Sequence, residues 1–197
     1  MKKRTWQMLA AFFTFMILPF FSCLIGLCIL SYGLFVNRCL PWECAPRRNF
    51  VVTDLSIPNR FFPSTARVGV FDPTSESLGS VEHASMTVYW RQGRGRSIYI
   101  VRRFATIDHA RKMFNAYRSD GVLPASPEIS YRSSTADSYM VGCGYSEFGG
   151  ERCELLARYD EFVIAFNVTP DYLMTTQKFE EIVIFIDEQI SKELSSP

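Results

Sequence analysis

From residue 5 to residue 37 the chain carries no charged side chain. A run of 33 uncharged positions rich in Leu, Ile and Phe leaves no polar face for water, which excludes an ordinary surface helix. A bilayer core about 30 Å thick is crossed by ~20 helical residues. The stretch from Trp6 to Val36 therefore predicts one transmembrane helix, with surplus length taken up by tilt. Small-residue cleavage signals are also missing, and the run is more than twice as long as a secretory h-region. The motif Phe20-Phe21-Ser22-Cys23 departs from a lipoprotein cleavage site, because an apolar stretch continues to Val36. An uncleaved anchor is expected.

Chemical motifs are equally scarce. The sequence has no G-x-S-x-G, H-E-x-x-H, S-x-x-K or D-x-D-x-D-G, which removes the common hydrolase, zincin and calcium-loop readings. Its two histidines, His83 and His109, lie near no cysteine pair, so a zinc site has no ligand set. Gly93-Arg94-Gly95 lacks the third glycine and the lysine of a phosphate loop, and it joins two strands. No catalytic residue, cofactor or metal is predicted. Carboxylates such as Glu147, Glu151 and Glu154 could pair for a hydrolase, but they are expected at a solvated hairpin tip.

Six cysteines are present. Cys23 and Cys28 fall inside the apolar run, where a free thiol behaves as a small hydrophobe. The others form two close pairs, Cys39 with Cys44 and Cys143 with Cys153. Residues Tyr139–Cys143 and Cys153–Ala157 read as adjacent strands around a turn at Glu147–Gly150. Pairing Cys143 with Cys153 sets Val141 opposite Leu155 and Tyr139 opposite Ala157, so one register serves both the bridge and an apolar face. Disulfides imply an oxidising compartment. Positive flanks nearly balance, with Lys2, Lys3 and Arg4 before the helix and Arg38, Arg47 and Arg48 after it. The tight N-terminal cluster, taken with the cysteines, points to a cytoplasmic N-terminus.

The expected organisation is a tail (residues 1–5), the transmembrane helix (6–36), a juxtamembrane collar and irregular leader (37–83), and an extracytoplasmic α+β domain (84–197). Six breakers punctuate the leader and leave room for short strands at Phe50–Leu55 and Arg67–Phe71. Phe61-Phe62 should anchor it in the core. A hairpin follows, with Met86, Val88 and Trp90 on one face of Ala84–Trp90, a glycine-containing turn, and Ser97–Phe104. A helix over Ile107–Asp120 has Thr106 as N-cap and Gly121 beyond its end. Strands are expected at Glu128–Ser133, Ser138–Gly144, Arg152–Tyr159 and Phe162–Val168. The last is apolar on both faces, as befits a central strand. Thr169 and Pro170 signal the start of a closing helix whose stripe is Phe179, Ile182, Val183, Ile186, Ile190 and Leu194. The sum is an antiparallel sheet with two helices packed on it.

The bridged strand pair from Cys143, followed by strand, turn, strand and a helix to Leu194, resembles the small extracytoplasmic domains of bacterial membrane-anchored proteins and lipoproteins. That resemblance implies a sensor or binding module with no catalytic residues to carry over. Charge adds one candidate surface. Residues 84–118 hold eight Arg and Lys against Asp108 alone, while residues 171–197 hold six acids against Lys178 and Lys192. The two segments either neutralise each other or expose a basic face. Arg91, Arg94 and Arg96 at the hairpin turn are the candidate interaction residues. The expected partners are the lipid bilayer and another membrane or extracytoplasmic protein, not nucleic acid. A free-standing binding domain and an accessory subunit of a membrane complex both fit.

Overall fold

The computed structural model describes residues 20–33, 38–73, 79–119, 129–145 and 150–196. The chain divides into two compact units, Met1–Cys44 and Ala45–Pro197.

In the first unit, residues 20–32 are helical (α1). Phe20, Phe21, Ile25, Leu27, Ile29 and Tyr32 are each more than half exposed, so large apolar side chains face outward over more than half of the helix circumference. The Cys39 amide donates to the Gly33 carbonyl at 3.2 Å. A Cβ at position 33 would lie 2.8 Å from the Cys39 oxygen, so this close approach needs glycine. A disulfide joins Cys39 to Cys44. Among the described residues no helix is long and apolar enough to cross a membrane. Most of the expected span at Trp6–Val36 lies outside the described residues, namely 6–19 and 34–36.

The second unit is α+β. Its antiparallel sheet has seven strands: β1 (Arg67–Val68), β2 (Asp72–Pro73), β3 (Glu82–Trp90), β4 (Gly95–Arg103), β5 (Ser138–Tyr145), β6 (Glu151–Tyr159) and β7 (Phe162–Val168). The order is β1-β3-β4-β7-β6-β5, with β2 also pairing to β3. The sheet is larger than two helices on a small sheet suggested: the strand expected at Arg67–Phe71 is present as β1, shortened to Arg67–Val68, and the leader adds β2. Helix α2 (Ile107–Ser119) and helix α3 (Thr176–Ser195) complete the fold.

Strand β7 sits between β4 and β6, and alternation along it explains its two apolar faces. Phe162, Ile164, Phe166 and Val168 join a core with Trp90, Tyr99, Leu155 and the α3 residues Phe179, Ile182, Val183, Ile186 and Ile190. Val163 turns the other way and packs with Phe104, Leu156, Ala110 and Phe114 beneath α2. The two helices thus cover opposite faces. Each large apolar side chain buried in this way contributes about 1.5–3 kcal/mol. Leu194 of the expected α3 stripe is only half-buried. The N-cap of α2 is Thr106, whose hydroxyl accepts from the His109 amide at 3.1 Å. Gly121 lies outside the described residues.

Three sequence expectations are corrected. Residues Phe50–Leu55 contain a 3-10 turn over Val52–Leu55 instead of a strand. The segment 129–133 is not a strand either: the Ser130 and Tyr131 amides donate to the Glu180 carboxylate at 2.7 and 2.6 Å instead of to a neighbouring strand. Helix α3 starts at Thr176 with Thr175 as N-cap, six residues after Pro170. The Thr169 amide still donates to the Arg96 carbonyl at 2.9 Å, extending the β4–β7 edge. The Asp171 carboxylate then takes the Leu173 and Met174 amides and folds a separate turn. Local Thr-Pro chemistry loses to these contacts.

Candidate functional site

Strands β3 and β4 pair from Glu82–Arg103 to Trp90–Gly95, leaving residues 91–94 as the connection. Its backbone is unusual. Arg91 has φ 52°, Gln92 φ 56° and Gly93 φ 88°, three successive left-handed residues of which only one is glycine. The left-handed helical region costs an L-residue roughly 1–2 kcal/mol. Strain of this kind persists where surrounding contacts over-determine it, and it gathers at functional sites.

Those contacts come from Asp171. Its carboxylate accepts from the Trp90 indole at 2.9 Å and pairs with the Arg91 guanidinium at 3.2 Å. The Trp90 ring lies across Gly95, where a Cβ would fall 2.0 Å from the indole Nε1. Burial works against the Asp171 charge. The hydrogen bonds from Trp90, Met174, Leu173 and Arg91 outweigh it and hold the carboxyl below its ordinary range. Arg91 also lies 5.0 Å from the centre of the Tyr172 ring.

An open cleft of about 1000 Å³ lies beside this turn. Arg91, Gln92 and Gly93 of the turn line it, together with Tyr172, Leu173 and Lys178 and with residues of the segments 63–67 and 89–90, among them Ser64, Thr65, Arg67 and Tyr89. Among the described residues, three cations and no carboxylate line it. Arg91 is matched by Asp171, whereas Arg67 and Lys178 have no carboxylate partner among the described residues. Lys178 Nζ donates instead to the Leu173 carbonyl at 3.0 Å. Tyr172 is 74% exposed and Tyr89 is 42% exposed, so two phenol rings face solvent at the rim.

Of the three candidate arginines, the structure brings Arg91 alone to this cleft. Arg96 leans over the Tyr89 ring at 5.8 Å, and Arg94 is exposed. Neutralisation of the basic segment by the acidic one holds for the Arg91–Asp171 pair. Arg103 pairs instead with Glu82 and Glu161. Arg102 lies buried with its guanidinium bonded to the Tyr117 hydroxyl, and that burial lowers its pKa. Sequence reasoning missed Arg67, Gln92, Tyr172 and Lys178. The Arg-Gln pair before Gly93 was the available signal, since a short hairpin turn favours Asn or Gly at such positions.

The four paired cysteines form two disulfides, Cys39–Cys44 and Cys143–Cys153. Cys143 faces Cys153, Val141 faces Leu155 and Tyr139 faces Ala157. Two bridges imply an oxidising, extracytoplasmic environment.

A second polar cluster surrounds Asp187 on α3, which is 4% exposed. Its carboxylate accepts from the hydroxyls of Tyr131, Tyr159, Ser133 and Thr135. Burial raises the Tyr159 and Tyr131 phenols well above their usual range, and the bonds to Asp187 add to this. These phenols are donors, not bases. The cluster pins the strandless segment 129–137 to α3. Among the described residues no group of His, Cys, Asp and Glu could hold a metal ion. His109 is exposed on α2, and burial with the nearby Arg102 charge lowers the His83 pKa. No protein-family model matches the chain, and no curated protein does.

Proposed function

We propose that this protein is a single-pass, membrane-anchored extracytoplasmic binding domain without catalytic activity, and that it binds through the cleft beside the β3–β4 turn. The carrying observation is the left-handed Arg91-Gln92 pair at the cleft wall. A turn that glycine or asparagine would form more cheaply retains two long polar side chains beside two uncompensated cations. The charge-free run at residues 5–37 supports the anchor, and the outward apolar side chains of α1 agree with it. The disulfides support a C-terminal domain outside the cytoplasm. The strand, turn, strand and helix at Cys143–Leu194, which resemble bacterial membrane-anchored sensor and binding domains, fit the same reading.

Two measurements test it. A reporter fused after Pro197 should be active only when it is an extracytoplasmic enzyme, and cytoplasmic activity would reverse the topology. On native gels after mild extraction, a binding domain should migrate as the chain alone. Constant-stoichiometry migration with another membrane protein would favour the accessory-subunit reading instead.

A further inference from the structure

We infer that the cleft beside the β3–β4 turn binds an acidic saccharide, a sugar carrying carboxylate or phosphate groups. This inference rests on the proposal that the cleft is the binding face.

The charge sets the sign of the ligand. Arg67, Arg91 and Lys178 line one space, and among these cations Asp171 answers only Arg91. Two cations are left for the occupant, and guanidinium and ammonium groups pair best with carboxylate or phosphate oxygens. The volume of about 1000 Å³ is far more than an inorganic anion fills and suits a small oligosaccharide. The aromatic rim selects among organic anions. Tyr172 and Tyr89 stand exposed at the rim, Arg91 lying over one ring and Arg96 over the other, and Ser64 and Thr65 add hydroxyls. A sugar has the matching pair of surfaces, an apolar C–H face to lie on a ring and a hydroxyl rim to bond around it. An extended acidic peptide fits less well, because peptides commonly dock by adding a strand to a sheet edge. The edge strand beside the cleft, β1, is only two residues long.

Gln92 fits the same design. Its carboxamide can both donate and accept, as a sugar hydroxyl requires. Its left-handed backbone is the cost of keeping that side chain at the wall.

The experiment is calorimetric titration of the full chain in zwitterionic nanodiscs, free of sugar-based detergent. The probes are trigalacturonate, neutral maltotriose, and triglutamate as a peptide of comparable charge. Trigalacturonate should bind at least about tenfold more tightly than either control, the change expected from one well-placed charged contact. Its affinity should fall between 50 and 200 mM salt, and fall at least about tenfold in the R67Q/K178Q variant. Tyr172→Ala should weaken it and Tyr172→Phe should retain it. Equal binding of triglutamate, abolished by R67Q/K178Q, would overturn the saccharide class and leave the cleft as the binding face. Equal binding of maltotriose would overturn the requirement for an anion. Heat from none of the probes would overturn the saccharide class. Binding unaffected by R67Q/K178Q would overturn the cleft itself.

Discussion

At position 92 a glutamine occupies backbone that glycine would adopt freely. Gln92→Gly should therefore stabilise the domain by about 0.5–1 kcal/mol, the left-handed penalty reduced by the extra chain entropy of glycine. Denaturant midpoints would measure this, and a loss of stability would show that the Gln92 side chain holds the turn. Asp171 gives the second prediction at this scale. Its folded pKa lies below the ordinary value of about 3.9 because Trp90, Met174, Leu173 and Arg91 donate to it. A depressed acid contributes stability that is present above the unfolded pKa and is lost as pH falls through the folded one. Thermal melts should thus show a loss of stability below about pH 4 that Asp171→Asn removes. A variant with the same acid limb as the parent would assign that limb to other carboxylates, such as Glu180. Amide bonds from Tyr131 and Ser130, with the Ser130 hydroxyl, hold Glu180 low.

Among the elements, α3 does more than cover the sheet. Asp187 gathers four hydroxyls from segment 129–137 and β6, and Glu180 takes two amides of the same segment. Asp187→Ala would leave the Tyr159 hydroxyl, on a side chain 1% exposed, without its acceptor. An unsatisfied buried donor costs about 1–3 kcal/mol. The variant should lose at least that amount and expose residues 129–137 to hydrogen exchange. Unchanged exchange there would mean that Glu180 suffices as the tether. The β5–β6 pair carries the other element-scale prediction. Replacing Cys143 and Cys153 together by serine reopens a loop of ten residues. This should cost roughly 2–3 kcal/mol. Midpoints identical under reducing and oxidising conditions would show that the sheet register alone holds these strands.

Across the whole second unit, one charged network closes the leader onto the sheet. Arg48 bonds Glu161 through two nitrogens at 2.9 Å and pairs with Asp160, while Arg103 approaches the same Glu161 and bonds Glu82. The Glu161 side chain is fully buried. Its partners therefore matter more than an exposed pair would, because an uncompensated buried charge costs about 3–5 kcal/mol. Arg48→Met should lower stability by about 2–4 kcal/mol, somewhat less than that full cost because Arg103 remains. It should also open the leader to limited proteolysis before the sheet unfolds. Cooperative loss of leader and sheet at one midpoint would show instead that Phe50, Val52, Leu55 and Phe62, all buried in the shared core, hold the leader without the clamp.

Local patterns alone were enough for the elements whose residues answer to near neighbours. Alternation in Ala84–Trp90 and Phe162–Val168 marked their strands and the central place of β7, and the spacing of two cysteines set the β5–β6 register. The apolar period of Phe179–Ile190 marked α3, and the charge-free run defined the candidate anchor. These signals are readable because strand and helix periods are properties of the backbone itself. Tertiary structure decided what distant residues compete for. Thr169-Pro170 begins no helix because the Arg96 carbonyl and the Asp171 carboxylate claim the nearby amides. Residues 129–133 form no strand because Glu180, some 50 positions away, satisfies their donors. The cleft joins residues 64–67, 89–93 and 172–178, which share no local pattern. Only the folding of β1, the β3–β4 turn and the start of α3 against one another places Arg67, Gln92, Tyr172 and Lys178 around one space, since a site built from separate segments has no period along the chain.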